Sequence, residues 1–365
     1  MKRFELEDFF DKYEHVHEHV PGLINLASSD ALPWNTTDIA RDVLDAAVAD
    51  LTLKYPNVNR SLLPGLEGLC RLPPEAAVLP TSGAAEAIAL VMHELASLGK
   101  GGLVAIPVPG YGAFLGLSSL LGLEAKTYEY HPGRNWAPDL DELLELSRRC
   151  PALIINNPHN PSGHVLPDEF LRTIAQEMGA RGATLIVDEV FRTDGETCSA
   201  VELGSDVVTI GSLSKVYGLP GLRLGWIIAN KELVGRLRTL QQYFTLTLNS
   251  FTVSLGSAVL KDLKRFSRTD LIRKNRKILI GWAEAYKETL SISSPLGGTT
   301  VCLTVNSPTP ADVLFERFLE AKVLLAPGER CFEFGEDLNW YRLGYGTSPD
   351  DLHLGLSRVS EVLGR

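Results

Sequence analysis

The chain has 365 residues, 45% of them hydrophobic and 22% charged, an ordinary globular balance with room for one large or two interlocked domains. Lys and Arg total 35 against 45 Asp and Glu, a formal net charge of −10, which argues against nucleic acid or an anionic membrane as the main partner while leaving room for a local basic pocket. Five cysteines (70, 150, 198, 302 and 331) form an odd set with no CxxC and no short metal spacing, so free thiols in a reducing cytoplasm are expected, with neither disulfide nor metal.

In chain order, residues 1–45 begin as a polar helix, MKRFELEDFFDKYE, which mixes acids and bases and lacks the apolar core of a signal peptide. INLASSDALPW follows as a strand and turn without a nearby partner, expected to pack on the smaller domain or on a second subunit. From residue 77 to 230 short apolar runs alternate with amphipathic stretches. The helix TSGAAEAIALVMHEL opens at Ser82-Gly83-Ala84, and the run Ala113–Leu123 is too short to span a bilayer and is broken by Ser118 and Ser119. Ala152–Asn156 (ALIIN) and Ala183–Val190 (ATLIVDEV) read as buried strands. Between them PDEFLRTIAQEMGARG reads as a helix, with Phe170, Ile174, Ala175 and Met178 on one face and stop signals at Gly179 and Gly182. Val207–Gly211 and Trp226–Ala229 are further strands. The rhythm predicts an α/β fold: a three-layer, mostly parallel sheet with helices on both faces.

Beyond residue 260 the pattern turns to α+β. A charge-laced helix over Arg268–Leu290 precedes an alternating strand over Thr299–Val305, a helix over Pro310–Ala321, the segments VLLAPGERCF and NWYRLGYG, and a closing helix from Pro349. No repeat or linker separates the parts. The expected division is a large domain over 46–260 and a smaller α+β domain from 1–45 plus 261–365.

Four segments carry chemistry. GSLSKVYGLPGLRLGW places Ser212, Ser214, Lys215 and Arg223 just after a buried strand. Two hydroxyls and a guanidinium suit a phosphate, and a lysine between them suits an imine with a carbonyl. Spacing alone leaves open a polar loop with a solvated lysine. In IVDEVF, Asp188 ends a buried strand, where open α/β sheets bind ligands; it suits a cationic ring nitrogen, or the plainer task of capping a loop. NNPHNPSG offers the amide of Asn160 on a loop fixed by two prolines. Gly83 and Ala84 open a helix whose free N–H groups and dipole attract phosphate.

In this order and combination the segments resemble the fold-type-I pyridoxal-phosphate (PLP) enzymes, the class I/II aminotransferase family, over most of the chain. The pattern S-x-S-K-x-x-G-L-x-G-x-R-x-G-W, with N-P-H-N-P-S-G and D-E-V before it, carries the resemblance. It implies an enzyme of L-α-amino acids in which Lys215 binds the cofactor and moves the Cα proton, Asp188 meets the pyridinium nitrogen and Asn160 the ring 3-oxygen. It implies that the backbone of Gly83 and Ala84, with Ser212, Ser214 and Arg223, holds the phosphate. The P-x-Y-x-x-F spacing of PGYGAF matches the loop whose aromatic stacks on the cofactor, assigned to Phe114. Arg342 of NWYRLGYG matches the arginine that clamps the substrate α-carboxylate. Tyr55 resembles the tyrosine that reaches the phosphate of a neighbouring subunit, which implies a homodimer with shared sites. For Phe114 and Tyr55 simple packing is the other reading.

One position departs from the family. Its pattern is D-E-V-Y, and Phe191 stands here at the tyrosine. Losing that hydroxyl donor is expected to raise the pKa of the cofactor imine; a reaction other than plain transamination is then one reading, and a neutral change that keeps the aromatic shape is the other. LEDFFDKYEHVHEHVPGLINLASSDALPW is similar to the N-terminal segment of an arginine-processing subgroup, the PLP-dependent arginine oxidases and capreomycidine-forming cyclases. Glu14 and Asp30 then become candidate partners for a guanidinium; otherwise they are a helix-surface Glu and a turn Asp. His15 and His19 share a helical face that His17 leaves, but a solvated polar helix accounts for them, and PLP chemistry requires no metal. The expected reaction is elimination or cyclisation on arginine or hydroxyarginine, with ordinary transamination to a 2-oxo acid as the alternative. A non-catalytic PLP-binding sensor is the remote one, disfavoured by Lys215 and by the acidic charge.

Overall fold

In the computed structural model, which describes residues 20–35, 37, 39, 41–97, 102–193, 199–204, 207–294, 297–332 and 339–364, most of the apolar runs become strands of one sheet. After a short β1 (Ile24–Asn25) come β2 (Ala76–Thr81), β3 (Leu103–Val108), β4 (Glu124–His131), β5 (Ala137–Pro138), β6 (Ala152–Asn156), β7 (Thr184–Asp188), β8 (Val207–Ser212) and β9 (Gly225–Asn230). The sheet order is β2-β9-β8-β7-β6-β3-β4-β5. Pairs from β8 through β7, β6 and β3 to β4 are parallel; β9 is antiparallel to both its neighbours, and β5 to β4.

The two-residue period of these strands builds the layers. Ile154, Ile186 and Ile210 face the helices Gly83–Ser97, Ala113–Leu121 and Lys231–Phe244. Leu153, Ile155, Leu185 and Val187 face the helices Leu140–Arg149 and Asp168–Gly179. This is the three-layer α/β architecture expected from the sequence. In helix Asp168–Gly179 the buried stripe is Leu171, Ile174, Ala175 and Met178; Leu171 takes the place expected of Phe170, which packs only partly buried at the margin.

The C-terminal region adds β10 (Leu290–Ile292), β11 (Thr300–Val305), β12 (Val323–Leu324), β13 (Ala326–Pro327) and β14 (Trp340–Gly344). Strands β10-β11-β14-β13 form an antiparallel sheet that shares a core with helices Thr269–Ala285, Ala311–Glu320 and Pro349–Leu363. The helix expected to reach Leu290 ends at Ala285, because Tyr286 leaves helical geometry and Leu290 joins β10. β1 pairs in parallel with β12, and the chain then crosses to the lysine loop: Ala31 N–H donates to Lys215 O (3.1 Å) and Trp34 N–H to Gly218 O (3.0 Å). Helix Arg41–Asp50 buries Val43 and Ala47 against Leu62, Leu66 and Val259. The division expected between residues 45 and 46 therefore cuts a helix that packs as one element.

Glu14, His15, His17, His19 and Cys198 lie outside the described residues. Among the described residues no group of His, Cys, Asp and Glu is placed to hold a metal ion, no helix is long and apolar enough to cross a membrane, and Cys70, Cys150, Cys302 and Cys331 are not in disulfides.

Candidate active site

Adjacent strands end in polar residues: Asn156 on β6, Asp188 on β7 and Ser212 on β8. Register places Asn156 directly beside Asp188. These C-terminal ends, the usual ligand side of an open α/β sheet, open into a cavity of about 440 Å³ whose walls include Asp30, Lys215, Arg223 and Arg342.

One corner has the chemistry of an anion site. Gly83 opens helix Gly83–Ser97 with φ +76°, and a Cβ there would lie 2.5 Å from Nη2 of Arg223. Only glycine allows both the backbone and the close guanidinium. Gly225 likewise lets β9 approach, since its Cβ would fall 2.7 Å from Ala84 N. Ser212 and Ser214 are buried, and Ser214 N–H donates to Ser212 Oγ (3.2 Å). A helix N-terminus, two hydroxyls and a guanidinium are gathered at one end of the cavity.

The floor holds Asp188. Burial pushes this carboxyl up to about 7, opposed by the hydrogen bond that Val190 N–H donates to it; Glu189 adds to the rise and Lys215 resists it. That hydrogen bond is 3.0 Å long. A buried carboxyl of this kind is stably ionised when it meets a cation, as a ring nitrogen would supply. Asn156 fixes the surroundings: its Nδ2 donates to Asp188 O (3.0 Å) and its Oδ1 accepts from Asn160 N–H (2.6 Å).

Across the cavity Lys215 Nζ donates to Ser29 Oγ (2.9 Å) and pairs with the carboxylate of Asp30. The Phe191 ring centroid lies 5.9 Å from the same nitrogen. Arg342, on β14, is 5% exposed and donates through Nη1 to Asn160 Oδ1 (3.2 Å) and through Nη2 to Ala27 O (2.6 Å). Burial lowers its pKa from the ordinary arginine value, while Cys331, Asp30 and Cys302 oppose; its Nε, buried, finds no hydrogen-bond partner.

Two sequence assignments are placed elsewhere. Phe114 does not line the cavity: it is 1% exposed and packs in the core with Ile106 and Ile88. Tyr111, three residues earlier in the same motif, lines the cavity instead and meets Phe114 edge-on at 5.7 Å. The helix Ala113–Leu121 begins between them, so Phe114 turns to the sheet while Tyr111 stays on the loop. Tyr55 is 80% exposed and takes no part in this cavity within one chain. Lys215, Asp188, Asn160, Ser212, Ser214, Arg223, Ala84, Arg342 and Asp30 all line it, with Gly83 against Arg223. Ser29, Asn156 and Tyr111 were not singled out from sequence. Tyr111 was legible, as the other aromatic of P-x-Y-x-x-F.

These residues fit pyridoxal phosphate. A crowded glycine cradle against a guanidinium, a buried acid at a strand end and a lysine amine between them meet its three polar ends. Fold and cavity together define a PLP-dependent enzyme. The chain belongs to the family described as aminotransferase class I and II, whose sequence profile matches residues 46–359. It is 31% identical over 300 residues to capreomycidine synthase of Streptomyces vinaceus, covering 80% of this chain and 75% of that protein. It is 25% identical over 305 residues to aspartate aminotransferase of Pyrococcus horikoshii, covering 78% and 75%. Among solved structures, a PLP-dependent aminotransferase from Streptococcus suis superimposes with TM-score 0.87 at 25% identity, over 100% of this chain and 99% of that one. The PLP-dependent cyclase OrfR superimposes with TM-score 0.80 at 26% identity, over 98% and 96%.

Proposed function

We propose that the enzyme acts on a guanidino α-amino acid of the arginine or hydroxyarginine class, removing its Cα proton. With hydroxyarginine the side-chain hydroxyl then leaves as water and a guanidine nitrogen adds to the unsaturated carbon to close a ring, whereas arginine, which carries no leaving group, undergoes only the proton removal. Asp30 carries this reading. Its carboxylate lies on the cavity wall at Lys215 Nζ, and Arg342 lines the same cavity. The cavity thus offers a guanidinium fork for an α-carboxylate and an acid for a cationic side chain. Similarity to capreomycidine synthase over 80% of the chain supports the assignment, as does the likeness to OrfR.

When bound, pyridoxal phosphate accepts into its ring the charge left at Cα. Lys215 takes the Cα proton at Nζ, and Ser29 holds that nitrogen on the cavity side, which leaves Asp30 to the side-chain guanidinium. Arg342 orients the α-carboxylate and, through its bond to Asn160, the amide at the ring 3-oxygen. Asp188 meets the ring nitrogen. Ser212, Ser214, Arg223 and the N–H groups of Gly83 and Ala84 bind the phosphate, and Tyr111 supplies the stacking surface. Phe191 presents a ring without a hydroxyl. A cytoplasmic homodimer, with Tyr55 reaching the neighbour's phosphate, completes the reading.

Ordinary amino-group transfer is the second reading, favoured by the aspartate aminotransferase relative. Product analysis separates them. The PLP-loaded enzyme is mixed in turn with arginine, hydroxyarginine and the common amino acids. A dehydrated or cyclic guanidino product, with the cofactor left as PLP, is expected. A 2-oxo acid with pyridoxamine phosphate establishes transamination, and no absorbance change with either guanidino compound overturns the proposed substrate.

A further inference from the structure

We infer that Trp136 is a positioning residue for the substrate carboxylate, acting on Arg342 through the rings of Trp340 and Phe332. The inference rests on Arg342 being the carboxylate clamp.

Trp136 belongs by sequence to the large sheet, just before β5 at the tip of the β4–β5 hairpin. Its side chain, 2% exposed, is buried in the other core, with Val301, Leu303 and Trp340. The hairpin bridges the two sheets through polar contacts as well: Asn135 Nδ2 donates to Ser294 O (3.3 Å) and Trp136 Nε1 to Thr304 Oγ1 (3.4 Å).

The backbone at the tip is unusual. Asn135 and Trp136 have φ of 55° and 57°. Asparagine tolerates the left-handed region; a bulky aromatic there is an outlier. Such a conformation persists where its surroundings over-determine it, and it concentrates at functional places. Here the N–H groups of Asn135 and Trp136 donate to Pro132 O and His131 O, each at 2.9 Å, and lock the turn.

From Trp136 a continuous contact leads to the cavity. Its ring lies 4.7 Å from that of Trp340, Trp340 lies 5.5 Å from Phe332, and the Arg342 guanidinium carbon sits 5.3 Å from the Phe332 centroid. Phe332 lines the cavity. Trp340 is two residues before Arg342 on β14, so both side chains leave the same face of the strand. It has no room to retreat, because a Cβ on Gly328 would fall 1.9 Å from its ring. Trp136 therefore sets Trp340, Trp340 sets Phe332, and Phe332 holds the plane of a fork whose use depends on its orientation. Lys215, Asp188 and the phosphate corner lie outside this path.

The test compares Trp136→Gly, which suits the backbone but removes the ring, with Trp136→Phe, which keeps a smaller ring. PLP-loaded protein is titrated, following cofactor absorbance, with the L-α-amino acid that gives the largest change and with its decarboxylated amine. Trp136→Gly should weaken amino-acid binding about 10-fold, the scale of a degraded charge-assisted pair, and Trp136→Phe should do so less. Amine binding and cofactor occupancy should hold within about 2-fold, since neither uses the carboxylate clamp. Equal weakening for acid and amine, or none for either, overturns the inference. Should Trp136→Gly fail to fold, Trp136→Phe is combined with Phe332→Leu: its effect should vanish in that background, and simple additivity contradicts the path. Arg342→Lys is the control. If it leaves the preference for the amino acid over the amine intact, the reading of Arg342 falls; if it removes that preference while the Trp136 variants keep it, only the inference falls.

Discussion

At the scale of single residues, the chemistry concentrates on three side chains of different character. Lys215 is the proton carrier, so Lys215→Ala should slow exchange of the substrate Cα hydrogen for deuterium by roughly 10³-fold or more; exchange at the wild-type rate would exclude it from that role. Asp188 is the acid whose ionisation the fold resists. Burial moves its pKa from 3.8 to about 7, so in the cofactor-free protein the folded state holds this proton more tightly than the unfolded chain. The stabilisation is complete below about pH 4 and is lost as pH rises through about 7. Thermal melts of cofactor-free protein should therefore show that Asp188→Asn removes a decline in stability between those limits, worth up to about 4 kcal/mol. Identical pH slopes for wild type and variant would contradict the placement. Phe191 is the family departure. Restoring the hydroxyl with Phe191→Tyr should shift product partition towards 2-oxo acid several-fold, read by mass spectrometry of the product mixture; unchanged partition separates this position from reaction choice.

Among elements, the strand ends were the most legible feature. The apolar runs of β6, β7 and β8 stop at Asn156, Asp188 and Ser212, and such stops mark where a parallel sheet hands the chain to its ligand loops. The glycine before helix Gly83–Ser97 was equally readable, because a phosphate corner needs bare backbone. Gly83→Ala should cost the cofactor site about 10-fold in PLP affinity, measured by equilibrium dialysis, since its Cβ meets Arg223 in a φ +76° conformation; retained affinity would contradict the cradle. In PGYGAF two rings share one motif, and it is Tyr111 rather than the expected Phe114 that lines the cavity. Which one faces the ligand depends on where the next helix starts, and a spacing pattern does not contain that boundary. Ser29 and Asn156 escaped notice for another reason. Each acts on a partner far away in sequence or through its backbone, Ser29 on Lys215 and Asn156 on Asp188 O, and local sequence carries no trace of such pairing. Trp136 is the same case: its φ of 57° leaves no mark in the neighbouring sequence.

For the whole molecule, the apolar surface points beyond one chain. Leu53 is 93% exposed, Tyr55 80% and Phe251 62%, and Ser250 Oγ, beside Phe251, donates to Lys54 O (3.4 Å). Large exposed apolar residues held together in this way suit a subunit interface. If Tyr55 serves the neighbour's site, mixing Tyr55→Ala chains with Lys215→Ala chains should rebuild one intact site per hybrid dimer and recover activity that neither variant shows alone. Hybrids that form without recovery would place Tyr55 outside the site. The net charge of −10 says little about such a cavity, where Arg223 and Arg342 share the lining with two acids, Asp30 and Asp188. Everything proposed here depends on where the cofactor is attached, and that is directly measurable. Borohydride reduction of the PLP-loaded protein, followed by proteolysis and mass analysis, should yield one modified peptide with the cofactor mass on Lys215. Modification of another lysine, or an unmodified Lys215 peptide from fully loaded protein, would contradict the site and the chemistry assigned to it.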